Sequence, residues 1–190
     1  LGDLSLSEQL DYLAQGKYTP LTLCAMEFAA LDAKSRWEGK SIFRDQYLPR
    51  SHFLVTDIFK WNSQHVERVI QQGYTHVKLK VGRHIDREIE CLHTFFGDTP
   101  LKLRLDFNET LTSDSFNCSL KQMQKMHESI DFIEDPFPFH VQSWTAIQKD
   151  GWTLACDRQA QVGCHHPEAT AILIVKPALQ PFEEWQKWMH

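Results

Sequence analysis

Three carboxylates and three lysines fall where side chains of their kind could work together. Asp106 directly follows the run Leu101-Lys-Leu-Arg-Leu, Glu134 ends Asp131-Phe-Ile-Glu ahead of Asp135-Pro136, and Asp157 directly follows Trp152-Thr-Leu-Ala-Cys. Each run has the composition of a short strand. If the three strands are parallel neighbours about 4.8 Å apart, their terminal carboxylates converge on one point. Negative charges so close cannot all stay ionised without a cation. Carboxylate oxygens with no His or Cys among them suit Mg²⁺, or Mn²⁺, better than zinc. An acid at one strand end is ordinarily a turn former or a helix N-cap; acids on three consecutive strands, with lysines on the strands either side, favour a site. Lys78 and Lys80 are two apart in His76-Val-Lys-Leu-Lys-Val, so they project from one face. Burying such a pair is costly. Lys176 ends Ile172-Leu-Ile-Val and precedes Pro177; alone it would read as a solvated or snorkelling side chain.

The elements that would position these residues follow from the hydrophobic pattern. Two helices are expected first, over 7–13 and 21–37. From residue 52 short β-branched runs alternate with amphipathic stretches. Strands are expected at 53–56, 76–81, 101–105, 132–134, 153–156 and 171–175, and helices at about 62–72, 86–96, 114–128, 141–149, 165–169 and 181–189. Gly73 stands where a helix C′ glycine belongs, and a Thr/Ser/Asp cluster before Phe116 suits a helix N-cap. Strands starting roughly 20–25 residues apart mark βα units with short loops. The pattern implies a parallel sheet, open or closed, of six such units.

Composition narrows the partners. The chain has 190 residues and a formal net charge of −5, without a basic run, which argues against nucleic acid or an anionic membrane surface. No run of about 18 apolar residues is present, so no transmembrane helix is expected. The opening LGDLSLSEQL lacks the features of a signal peptide. The five scattered cysteines contain no CxxC pair, which fits reduced thiols in a cytoplasmic setting. Of the ten histidines only His165 and His166 are adjacent, and neighbours cannot both face one metal from a regular element. A partner other than nucleic acid or a membrane surface is expected.

With its residues taken in this order, the chain resembles the enolase superfamily, within the muconate-lactonizing-type subgroup. That pattern has a Lys-x-Lys on the second barrel strand, metal carboxylates ending the third, fourth and fifth, and a lysine ending the sixth. Here it reads Lys78-Leu79-Lys80, Asp106-Phe107-Asn108, Glu134-Asp135-Pro136, Asp157 and Lys176, over residues 20–180. The run from Cys24 to Lys34 resembles the helix that leads into the family's barrel. The resemblance implies an α/β fold of TIM-type (β/α) barrel class, incomplete in this chain, with about six βα units and strands seven and eight absent. Residues 1–51 would be a helical lead-in, with a capping domain mostly absent, and 52–190 a partial barrel catalytic domain. A closed barrel runs to about 250 residues, and the sequence begins with Leu, so a piece of a longer chain is expected.

Val175-Lys176-Pro177-Ala178 is most similar to the o-succinylbenzoate synthases; dipeptide epimerases more often have a glycine pair soon after this lysine, and none is present. The resemblance implies Mg²⁺-assisted dehydration of a small-molecule carboxylate, 2-succinyl-6-hydroxy-2,4-cyclohexadiene-1-carboxylate, to o-succinylbenzoate, a step of menaquinone synthesis. Asp106, Glu134 and Asp157 would hold Mg²⁺, which takes up the charge of the enediolate. Lys80, next to Lys78, would be base and then acid, and Lys176 would stay cationic on the opposite side. Asn108 would support the metal site and Asp135 orient a lysine. The same two lysines also suit an N-acyl amino acid racemase or dipeptide epimerase. A non-catalytic metal-binding barrel is the third reading. Its one pointer is Arg158: where the family commonly has Glu-Ser after the fifth-strand ligand, this chain has Arg158-Gln159. His165, His166 and Cys164 have no counterpart in the pattern and are read as loop residues.

Overall fold

The computed structural model describes residues 4–17, 20–41 and 51–176. The chain divides into two compact units, Pro49–Ile174 and the segments flanking it. The flanking unit contains α1 (Leu6–Tyr12) and α2 (Pro20–Glu38), close to the two helices expected there. Ser5 begins α1 with a reciprocal cap: its hydroxyl accepts the Glu8 N–H, and its own N–H donates to Glu8 Oε2 at 2.8 Å.

Pro49–Ile174 carries β1 (Phe53–Val55), α3 (Ser63–Gln71), β2 (His76–Lys80), α4 (Ile85–Phe96), β3 (Lys102–Asp106), α5 (Ser113–Met123), β4 (Ile130–Glu134), α6 (Val141–Lys149), β5 (Leu154–Cys156), α7 (Ala160–Gly163) and β6 (Ile172–Leu173). All six strands are parallel and pair in chain order. This is the expected α/β architecture. Each strand returns through a helix on one side, so one face of every strand must be apolar. Val77 and Leu79, Leu103 and Leu105, Ile133, Leu154 and Cys156 supply that face. They form one core with Val66 and Val69 of α3, Ile89, Leu92 and Phe96 of α4, Phe116 and Met123 of α5, and Trp144 and Ile147 of α6. The alternate residues, Lys78, Lys80, Arg104, Asp106, Phe132 and Glu134, are thereby turned to the other face.

Local signals explain where the units begin and end. Gly73, at φ +83, follows the last turn of α3, and its N–H and that of Tyr74 close back on Ile70 and Val69. Thr112 caps α5 through a reciprocal bond with Ser115. Two expectations are corrected. The helix expected over 165–169 is absent, and α7 lies earlier at Ala160–Gly163; Pro167 lacks an N–H and disfavours helical backbone at His166. The helix expected over 114–128 ends at Met123, and a 3₁₀ turn continues from Gln124 to Ser129. The helix expected over 181–189 lies outside the described residues. Among the described residues β1 pairs only with β2, and β6 only with β5. Leu54, on the polar face beside Lys78, stays 49% exposed.

Candidate active site

Strand register assembles the site. Lys80 of β2 is level with Asp106 of β3, Asp106 with Glu134 of β4, and Glu134 with Ala155 of β5. These residues form one row at the C-terminal ends of four neighbouring strands. One row lower, Lys78 is level with Arg104, and Arg104 with Phe132. Lys78 reaches up and across: its Nζ donates to both Glu134 oxygens, at 2.8 and 2.7 Å, and lies 3.1 Å from Asp106 Oδ2. All three side chains are largely withdrawn from water. Burial opposes the Lys78 charge, but the hydrogen bond and charge of Glu134, joined by Asp106, prevail and raise its affinity for a proton. Burial pushes the Glu134 carboxyl up to about 7, against the Lys78 hydrogen bond, and the charges of Asp106 and Asp157 push the same way. Lys80 is exposed.

Loops past the strand ends hold the next layer. Asn108 and Glu109 both take left-handed backbone, at φ +51 and +59, and Asn108 Nδ2 donates to Asp106 Oδ1 at 2.6 Å. Asp135, at φ +43 and buried, accepts the N–H of Asp157 on Oδ1 at 3.1 Å and that of Arg158 on Oδ2 at 3.0 Å. Burial raises its affinity for a proton, and these two bonds oppose that rise. The bonds it makes go to the loop after β5, where a lysine had been expected as its partner. His165, His166 and Cys164 lie in the turns after α7, where His166 Nδ1 approaches Glu168 at 3.1 Å. Lys176 is exposed and belongs to the flanking unit.

A cavity of about 470 Å³ opens beside this row, lined among others by Lys80, Asn108, Phe59, Arg83 and Arg158. Its β2–α4 wall depends on Glu88, a buried acid absent from the sequence reading. Glu88 accepts the N–H groups of Gly82 at 2.6 Å and His84 at 3.3 Å. Its place in the first turn of α4 was the available signal. Arg104 is the second omission. It lies two residues before Asp106, so parity alone put it on the polar face. It is buried, donates to Asp131 Oδ2 at 2.8 Å, covers the Phe132 ring at 5.1 Å and lies 3.2 Å from His52 Nδ1. Burial first, then the positive charges of Arg104, Lys78 and His76, lower the proton affinity of His52.

The donor set fits a hard divalent cation in kind. Asp106 and Glu134 are buried acids that share one ammonium, which offsets only one of their two formal charges, and Asp157 is near enough to act on Glu134 through its charge. Both turn to Lys78, and among the described residues no three His, Cys, Asp or Glu side chains draw together closely enough to enclose a metal.

Residues 62–162 match the enolase C-terminal domain-like family. The chain belongs to that family. A curated relative, the o-succinylbenzoate synthase of Bdellovibrio bacteriovorus, is 29% identical over 196 residues, which cover 99% of this chain and 59% of the relative. The chain thus spans about three-fifths of that relative's length. Among solved structures, o-succinylbenzoate synthase from Thermosynechococcus elongatus BP-1, complexed with magnesium in its active site, superposes with a TM-score of 0.60 at 18% identity, covering 80% of this chain and 51% of that one. A muconate lactonizing enzyme superposes with a TM-score of 0.65 at 16% identity, covering 93% of this chain and 53% of the other. These likenesses give the six parallel strands and the helices between them the enolase C-terminal domain-like fold, within longer chains in the neighbours. Among the described residues no helix is long and apolar enough to cross a membrane.

Proposed function

We propose that this chain carries the chemistry of a Mg²⁺-dependent o-succinylbenzoate synthase, a lyase that dehydrates 2-succinyl-6-hydroxy-2,4-cyclohexadiene-1-carboxylate in menaquinone synthesis. The observation that supports this most is the division of labour on β2. Lys78 is partly buried and committed to Asp106 and Glu134, whereas Lys80 stands level with Asp106 and lines the cavity. One lysine sets the charge of the acidic pair, and the other is left to meet substrate.

Mg²⁺, held by Asp106, Glu134 and Asp157, would supply the positive charge that acidifies the α-hydrogen of a carboxylate and stabilises the charge left by its removal. The remaining work belongs to the side chains. Lys80 Nζ takes the α-proton and delivers it to the departing hydroxyl, which leaves as water while the electron pair of the broken C–H bond completes the aromatic ring. Lys78 holds both buried acids through one shared ammonium. Asn108 fixes the Asp106 carboxylate, and Asp135 fixes the loop that presents Asp157. Lys176, in the flanking unit, is assigned the cationic role that the sequence pattern implies. The same reading makes residues 1–51 a lead-in to the barrel and 52–190 its catalytic part, in a cytoplasmic enzyme.

The test is an absorbance assay for o-succinylbenzoate, run with Mg²⁺ and with chelator. Turnover is expected only with Mg²⁺. Lys80→Ala is expected to abolish it while Mg²⁺ binding, measured by calorimetry, survives. Substantial turnover by Lys80→Ala would overturn the assignment of the base.

A further inference from the structure

The cavity beside Lys80 has an unbalanced charge. Two acids line it, and both are engaged. Asp57 accepts the Phe59 N–H at 3.1 Å and pairs with Lys60 at 3.2 Å, and Glu88 holds the amides of Gly82 and His84. Lys80, Arg83 and Arg158 also line it, and among the described residues no carboxylate pairs with any of the three. A cavity of about 470 Å³ with uncompensated cations is a site for an anion of small-molecule size.

Of these cations Arg158 is the best placed to select a ligand. Its backbone N–H and that of Asp157 are held by the two oxygens of the buried Asp135 carboxylate. One clamp therefore fixes the backbone of both a candidate metal ligand and Arg158, the residue beyond it, whose side chain lines the cavity. A guanidinium presents a planar fork of donors that matches a carboxylate in bidentate fashion, which an ammonium does not. Lys80 is occupied by proton transfer, and Arg83 belongs to the loop between β2 and α4, away from the Asp135 clamp in sequence and strand.

We infer that Arg158 recognises a second carboxylate of the substrate, making this a site selective for small dicarboxylates, one end at the acidic row and the other at Arg158. The inference rests on the dehydratase reading, whose substrate and product both carry two carboxylates. Arg158 is then a specificity residue, and its departure from the acid usual at that position is a functional feature of this chain.

Calorimetric titration of the full chain in Mg²⁺ with two probes tests it. One is o-succinylbenzoate; the other is 2-butanoylbenzoate, the same skeleton with a methyl in place of the terminal carboxylate. The wild-type chain is expected to prefer the diacid by about tenfold or more, the range of a charge-assisted bidentate bond. Arg158→Gln is expected to reduce that preference to about twofold without changing the affinity for 2-butanoylbenzoate, and Arg158→Lys to restore part of it. In turnover, Arg158→Gln should raise KM more than it lowers kcat. Equal binding of both probes by the wild type, or a preference that survives in Arg158→Gln, overturns the role of Arg158 and leaves the dehydratase reading standing. Failure to bind either probe, with no o-succinylbenzoate formed, overturns that reading and this inference with it.

Discussion

Replacing Lys78 by Met removes one cation from a layer that holds two buried carboxylates. The side chain lengths are similar, so packing along the β2 face is nearly kept, and the perturbation is electrostatic. In the wild-type chain the Lys78 ammonium makes two bonds to Glu134, which is only 2% exposed, and lies 3.1 Å from Asp106. Removing one partner from a buried pair costs about 3–5 kcal/mol, most of it from the charge left behind. The lower end, about 3 kcal/mol, is expected here, because Glu134 can escape by taking a proton: its carboxyl is already pushed up to about 7 with the ammonium in place. That escape gives the loss a pH signature. Without the ammonium, which holds it down, the Glu134 carboxyl is pushed higher still, so at pH 8 the folded variant must either keep an unpaired carboxylate or take up a proton. At pH 5.5 Glu134 is protonated, and the gap between variant and wild type narrows. Urea unfolding of the metal-free chain at the two pH values measures this. Adding Glu134→Gln to Lys78→Met should recover much of the loss at pH 8, a coupling expected of residues in direct contact. A Lys78→Met chain as stable as wild type at pH 8, or one whose deficit does not narrow at pH 5.5, would refute the reasoning.

Two further outcomes follow from the loops and from the layer beneath the site. Gly82→Ala places a Cβ at φ +104 against the Thr110 hydroxyl, so it is expected to destabilise the chain by about 2–4 kcal/mol in urea unfolding; stability within error of wild type would contradict the geometry. His52 has a proton affinity below the ordinary imidazole value near 6.5 because it is half-buried and faces the positive charges of Arg104, Lys78 and His76. The folded state therefore binds fewer protons than the unfolded one, and stability present above about pH 6.5 is lost as pH falls towards the depressed folded value. His52→Gln is expected to flatten that loss, seen as a smaller drop in urea midpoint between pH 7.5 and 5.5, and an unchanged slope would dismiss His52 as its source.

Much of the fold was legible because its signals are local. Alternation in Leu101-Lys-Leu-Arg-Leu-Asp puts Leu103 and Leu105 on one face and Arg104 and Asp106 on the other whatever the neighbours are, and the structure buries both leucines completely. The alternation of strand and helix runs likewise implied a parallel sheet, and the structure pairs its strands in chain order. The helix misplaced to 165–169 shows the limit of composition, since Pro167 outweighed its polar, helix-compatible neighbours. Glu88 was illegible for another reason: an acid in a first helical turn usually faces water, and only the return of the Gly82 loop gave it two amides to hold.

By itself, then, the sequence settled which residues share a face and in what order the strands carry them, because the two-residue period of a strand is a property of the strand alone. Spacing and parity alone, without the family resemblance, could not say that Lys78 and Lys80, identical in type and parity, have different fates. That was decided by the tertiary register: Lys80 stands level with Asp106 at the rim, while Lys78, one row lower, bonds to an acid 56 residues away on a strand that is not its neighbour. Arg158 divides in the same way. Its identity marks it as unusual, but its position on the cavity wall comes from a carboxylate just past the end of β4 that holds its amide. Hydrogen bonds and ion pairs between distant segments set which charges are balanced and which are left for a ligand, and no spacing along the chain encodes that balance.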